Sequence, residues 1–153
     1  MSPTITRGSS VAKLRRLSWS DRAVLVEAVA CLALARAAVR ALPFRVLAAR
    51  LGARDGDSGG DVRSAEARRV AWMIGAAAPR TPWRSKCLEQ AIAGKLMLRR
   101  RGVPSTMYLG VKRDPFEAHA WLRAGGATVL GGAGAERFAV LASFGESAPG
   151  SPK

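Results

Sequence analysis

Residues 83–121, WRSKCLEQAIAGKLMLRRRGVPSTMYLGVKRDPFEAHAW, contain the change of period that decides the fold. In the first half Leu88, Ala91, Ile92 and Leu96 recur at helical spacing, and Gly102 is the stop. After it the period shortens to two, so STMYLGVKR (105–113) and EAHAWLRA (117–124) read as strands. Gly125-Gly126 marks a hairpin turn into ATVLG (127–131). The last apolar segment, ERFAVLASF (136–144), reads as a short strand or helix.

Working back from Trp83, PRTPW (79–83) breaks a helix expected over residues 64–78, whose apolar side is Ala67, Val70, Ala71 and Ile74. RDGDSGGD (54–61) is a linker, and FRVLAARLG (44–52) a short helix ending at Gly52. Ser18-Trp19-Ser20-Asp21 offers N-cap chemistry for a helix running to about Ala41, before Pro43. On it Leu25, Ala28, Leu32 and Val39 are expected to pack inward, with Arg22, Val29, Arg36 and Arg40 along the solvent edge. Helices first and antiparallel strands later predict an α+β fold, with N-terminal helices packed on a small antiparallel sheet. The expected organisation is a basic flexible arm (1–17), one domain (18–145) with a helical part (18–102) and a strand part (103–145), and a fraying tail (146–153).

Composition bounds the partners. The 153 residues, 48% of them hydrophobic, suffice for one folded domain with a real core. The charge of +14, from 25 Lys+Arg against 11 Asp+Glu, favours polyanions, anionic membrane surfaces or an acidic polypeptide. Residues 23–42 have the length of a membrane span, but Glu27, Arg36 and Arg40 make a buried amphipathic helix the better reading. Peripheral contact with an anionic bilayer through the basic arm stays compatible with the sequence. Asp21, Arg22 and Glu27 interrupt any secretory pattern after Lys13, Arg15 and Arg16. Two cysteines make no disulfide framework, and Cys31, inside LVEAVACLALA (25–35), reads as a buried free thiol, so a reducing, cytoplasmic setting is expected. There is no zinc-ligand spacing, P-loop, GxGxxG or aromatic-interleaved basic ladder, so no metal, cofactor or nucleic acid is expected.

The chemistry rests on Cys87 and the single histidine, His119. A thiol and an imidazole on two rigid elements are the minimum equipment for thiolate nucleophilic catalysis. Cys87 follows a candidate N-cap, Ser85, so backbone N–H groups, the helix dipole, Arg84 and Lys86 all favour a thiolate there. On its strand His119 alternates with Trp121 and Arg123, against Ala118, Ala120 and Leu122 on the other face. From there it would take the thiol proton and return it to a leaving amine. The competing reading is a structural cysteine at a helix start and a locally satisfied histidine, and local features leave the two side by side. Arg99, Arg100 and Arg101 read as a solvated helix end complementing the dipole, or as a dock for phosphate or an acidic peptide.

CLEQAIA (87–93), LRRRGVPST (98–106), the Gly110-Val111 pair and PFEAHAWL (115–122) together resemble the lasso-peptide leader peptidases, the B-type biosynthesis proteins of the transglutaminase-like superfamily. ALPFRVLAARLG (41–52) is similar to that family's N-terminal half, and the likeness covers about residues 18–142. The resemblance implies a papain/transglutaminase-like cysteine peptidase core that cleaves the leader from a ribosomally made precursor peptide, without a cofactor. It makes Cys87 the nucleophile and His119 the general base and acid. It also implies two partners, a separate small leader-recognition protein and an ATP-dependent lasso cyclase, because a chain of this length is expected to be the standalone protease half. One departure stands out: Gly131 and Gly132 occupy the place where the family carries an acid, and Glu136 is the nearest acid downstream. The alternative reading is therefore a catalytically impaired scaffold of the same complex. The Cys87 backbone N–H is the natural oxyanion donor.

Overall fold

The computed structural model describes residues 15–54 and 64–145. Most of the expected basic arm, most of the linker and the 146–153 tail lie outside the described residues.

Four α-helices form where the periodicity predicts them. In α1 (Trp19–Ala41) Ser18 is the N-cap, its Oγ accepting the Asp21 N–H at 3.2 Å. α2 (Phe44–Leu51) stops at Gly52, whose φ of 125° suits glycine. α3 (Ser64–Ala77) passes into a 3-10 turn, Ala78–Arg80, and α4 spans Cys87–Arg100. The strands are β1 (Ala53–Arg54), β2 (Thr106–Lys112), β3 (Glu117–Ala124), β4 (Ala127–Leu130) and β5 (Ala139–Gly145), in the order β1-β5-β2-β3-β4 with every pairing antiparallel. Gly125 and Gly126, at φ 59° and 76°, make the tight β3–β4 turn. The fold is α+β, as expected.

One detail differs from the sequence reading and another settles an alternative it left open. The helical half contributes a strand, because β1 pairs with the end of β5. ERFAVLASF divides into a 3-10 turn, Ala135–Arg137, and a strand that pairs along β2. That pairing satisfies backbone groups that a lone short helix would leave to solvent.

α4 lies between α1 and α3 on one side and the sheet on the other. Ile92, Met97 and Leu98 are buried on it, and they share one core with Leu32, Ile74, Met107 and Leu122. Each such side chain contributes about 1.5–3 kcal/mol when fully buried. The helix approaches the sheet closely at Gly94, where an added Cβ would lie 2.6 Å from Leu130 Cδ1 and 3.0 Å from Leu122 Cδ2. Lys95 is buried beside it, its Nζ donating to the Ser105 carbonyl at 2.7 Å.

Arg99 and Arg100 are exposed, as a solvated helix end requires, whereas Arg101 is drawn in between the helices. Arg101 donates from Nη1 and Nη2 to Glu27 at 2.9 and 2.7 Å and from Nε to Glu66 at 3.0 Å, joining α4 to α1 and α3. Arg100 adds a contact to Glu27 at 3.1 Å, and Arg99 donates to the Arg50 carbonyl at 2.9 Å. Arg36 likewise leaves the expected solvent edge and lies 3.4 Å from Glu89 of α4. Each partner is remote in sequence, which is why a local reading left Arg36 and Arg101 in water. No helix among the described residues is long and apolar enough to cross a membrane.

Hydrogen bonds from Arg101 hold the Glu27 carboxyl below its ordinary value of 4.5, against some desolvation, with the Arg101 and Arg100 charges adding. A carboxylate with a lowered folded pKa adds stability above its unfolded value, and that stability is lost as pH falls through the folded one. Glu27→Gln is therefore expected to unfold about 1–3 kcal/mol more easily than wild type at neutral pH. Urea titrations should show the gap closing in acid below the unfolded value. Gly94→Val should cost about 1–3 kcal/mol by overpacking α4 against Leu122 and Leu130, read as a lower urea midpoint at unchanged slope.

Candidate functional site

Cys87 is the first residue of α4, and Lys86 is the extended N-cap at φ −80° and ψ 169°. Ser85, the expected cap, is engaged elsewhere: its Oγ lies 3.1 Å from Thr81 Oγ1, and its carbonyl accepts from Gln90 Nε2 at 2.9 Å. Glu89 takes over by accepting the Lys86 N–H at 3.3 Å, the reach-back half of a capping box. The helix therefore begins one residue later than a Ser85 cap would place it. Cys87 falls in the first turn, where N–H groups have no intrahelical acceptor and the dipole is positive.

His119 lies near the start of β3, opposite Gly110 of β2. Alternation along β3 holds as expected. Ala120, Leu122 and Ala124 enter the core beneath α4, while His119 and Trp121 share the other face with Tyr108. The imidazole is held by rings on that face, its centroid 5.9 Å from Trp121 and 5.0 Å from Phe138. Trp121 is buried, stacked on Tyr108 at 5.6 Å and 7°. Gly110 lets this cluster close, since a Cβ there would lie 2.8 Å from Trp121 Cζ3 and 2.9 Å from Phe138 Cβ. On the ring itself Nε2 meets the Gly131 carbonyl at 2.6 Å.

The structure brings the two sequence-selected residues to one cavity. It measures about 340 Å³, and its wall includes Cys87 and Leu88 from α4, Leu109 from β2, His119 from β3, Leu141 from β5 and Phe44 from α2. Both residues border this space, with no hydrogen bond between them among the described residues, while the imidazole itself packs on the sheet face away from α4, against Trp121, Phe138 and the Gly131 carbonyl. The other residues of this wall are apolar, and among the described residues it carries no lysine, arginine or carboxylate.

Among the described residues no acid side chain is bonded to His119. Glu136 is exposed on the Ala135–Arg137 turn and makes no bond to His119 among the described residues. Glu117 shares the His119 face but pairs with Lys112 at 2.8 Å, a hydrogen bond that lowers its pKa. Sequence reasoning missed two neighbours of the imidazole, the Gly131 carbonyl and the Phe138 ring. The only trace of the first was the glycine pair after β4, a mark of close backbone approach.

Cys31 contrasts with Cys87. It is 8% exposed inside α1, and burial pushes its thiol up, with the Glu27 charge adding to the effect. Cys87 is half-buried beside the cavity. Limiting iodoacetamide near neutral pH is expected to alkylate Cys87 and spare Cys31 in the folded protein, with both modified after denaturation. Peptide mass mapping reads this directly.

No curated protein and no solved structure matches the chain. A family model, that of the transglutaminase-like superfamily, matches residues 28–143. The matched stretch runs from within α1 to within β5 and contains Cys87, His119 and every other residue named for the cavity wall. With well over half of the chain matched, and helices laid on an antiparallel sheet as this core requires, the chain belongs to the transglutaminase-like superfamily, which includes cysteine peptidases and transglutaminases.

Proposed function

We propose that this protein is a cysteine peptidase that releases the leader from a ribosomally made lasso precursor peptide, with Cys87 as nucleophile and His119 as general base and acid. The observation that supports the reading is one cavity whose wall includes both Cys87, at a helix start, and His119, on a strand. The superfamily supports the chemistry, and the resemblance of CLEQAIA and PFEAHAWL to leader peptidases supports the substrate.

In the first half-reaction the Cys87 thiol passes its proton to His119, and sulfur bonds to the scissile carbonyl carbon. The oxyanion forms near the first-turn N–H groups of α4, with the Cys87 N–H as the natural donor. Collapse breaks the C–N bond, and the leaving amine takes the proton from the imidazolium. A water molecule then yields a proton to His119 as its oxygen attacks the thioester. The C–S bond breaks, the proton returns to sulfur, and the leader leaves as a carboxylic acid. The apolar wall suits an uncharged segment around the scissile bond. The rest of the recognition falls to a separate leader-binding protein, and an ATP-dependent cyclase consumes the freed core amine.

Incubating the precursor with the matching recognition protein and wild-type enzyme in ¹⁸O-water should yield leader with one heavy oxygen in its new carboxylate. Cys87→Ala and His119→Ala should each lower release by at least about 10³-fold while staying folded. Transfer of the acyl group to an added amine, without label, would move the activity to the transglutaminase side of the superfamily. The rival reading, a scaffold between precursor and cyclase, is favoured by the absence of a carboxylate at residues 131 and 132. It predicts precursor binding with no release by the wild type. Leu141→Arg places a cation at an exposed edge of the cavity and should raise KM about tenfold with a normal circular dichroism spectrum.

A further inference from the structure

We infer that the main-chain carbonyl of Gly131 is the positioning group for His119, doing with a backbone dipole the orienting work for which the family resemblance leads one to expect an acid side chain. The inference rests on the peptidase reading for its catalytic meaning, but the geometry behind it stands independently.

A carbonyl oxygen carries no proton, so at 2.6 Å from it His119 Nε2 must be the N–H donor. A neutral imidazole protonated on Nε2 has its lone pair on Nδ1. The contact therefore selects one tautomer and leaves Nδ1 as the ring's base. Trp121 and Phe138, at 5.9 and 5.0 Å between centroids, restrict the ring further. A carboxylate would fix the same tautomer and add a full negative charge beside the imidazolium. A carbonyl supplies only a dipole.

The contact depends on glycine at this residue. Gly131 has φ +70°, and a Cβ on it would lie 2.6 Å from the Ala120 carbonyl oxygen and 3.2 Å from Trp121 Cα. The obstruction is the backbone of β3, the strand that carries His119, so a side chain at 131 must push the carbonyl away from the ring. Gly126 isolates the other cost of substitution. It has φ +76° and nothing within 4 Å of its Cβ position, so Gly126→Ala brings left-handed strain without the collision.

His119 is the only histidine, so ¹⁵N-histidine labelling gives one imidazole spectrum that needs no assignment. With glycine carbonyls labelled with ¹³C, wild-type protein should show the Nε2–H tautomer, a slowly exchanging ring N–H and a trans-hydrogen-bond coupling to a single glycine carbonyl. Gly131→Ala should lose the coupling and the slow exchange, slow Cys87 alkylation by iodoacetamide near neutral pH about tenfold, and lower kcat with little change in KM. Gly126→Ala should keep the wild-type values of all four, whatever stability it loses. An Nδ1–H tautomer, no glycine coupling in the wild type, or a Gly131→Ala protein with unchanged alkylation would overturn the inference. If Gly131→Ala does not fold, the wild-type coupling decides by itself. The imidazole spectrum and the alkylation rate need no peptide cleavage. An inactive wild type with the coupling intact would therefore sink the peptidase and keep the orienting contact.

Discussion

The close approach of α4 to β3 and β4 at Gly94 is the contact on which the arrangement of Cys87 and His119 depends. A larger residue there would lift the helix from Leu122 and Leu130, and the first turn of α4 would move with it. The two ends of the helix are held by charge. At its C-terminus Arg101 grips Glu27 and Glu66, and in its first turn Glu89 bonds the Lys86 N–H and faces Arg36. A helix fixed at its middle by van der Waals contact and at both ends by ion pairs has little freedom to rotate or slide. Cys87 inherits that rigidity.

The elements themselves were largely legible in the sequence because each follows from a local property. The period changes from helical to two after Gly102, Gly125-Gly126 marks a turn, and Ser18 with Asp21 marks a helix start. What escaped reading was set by partners far along the chain. Glu27 and Arg101 are 74 residues apart and Glu66 and Arg101 are 35 apart, so Arg101 looked as solvated as its exposed neighbours. The two-residue β1 has no periodicity to detect, and only its pairing with β5 defines it. Ser85 looked like a cap until Thr81 and Glu89 competed for the bonds at the head of α4. At the candidate site, residue type singled out Cys87 and His119 for attention, whereas the atom bonded to the imidazole is in the main chain and has no letter of its own.

The charge of the protein and the character of its cavity are separate matters. The net +14 suggests a strongly attractive surface for anions, yet the wall around Cys87 and His119 carries no cation. Several of the arginines serve internal ends, tying α1, α3 and α4 together through the few available acids. Long-range attraction of anions and the fit of an apolar cavity are thus properties of different parts of this molecule.

The hydrogen bond to Gly131 has an evolutionary side. An aspartate in that role is lost by one nucleotide change, and the loss is visible as a missing acid. A carbonyl is present in all twenty amino acids, so no codon change deletes it; a substitution can only displace it. Selection would then act on backbone conformation at residue 131, and its signature in a lineage would be an unvarying glycine where a search for acidic triad members would record a gap.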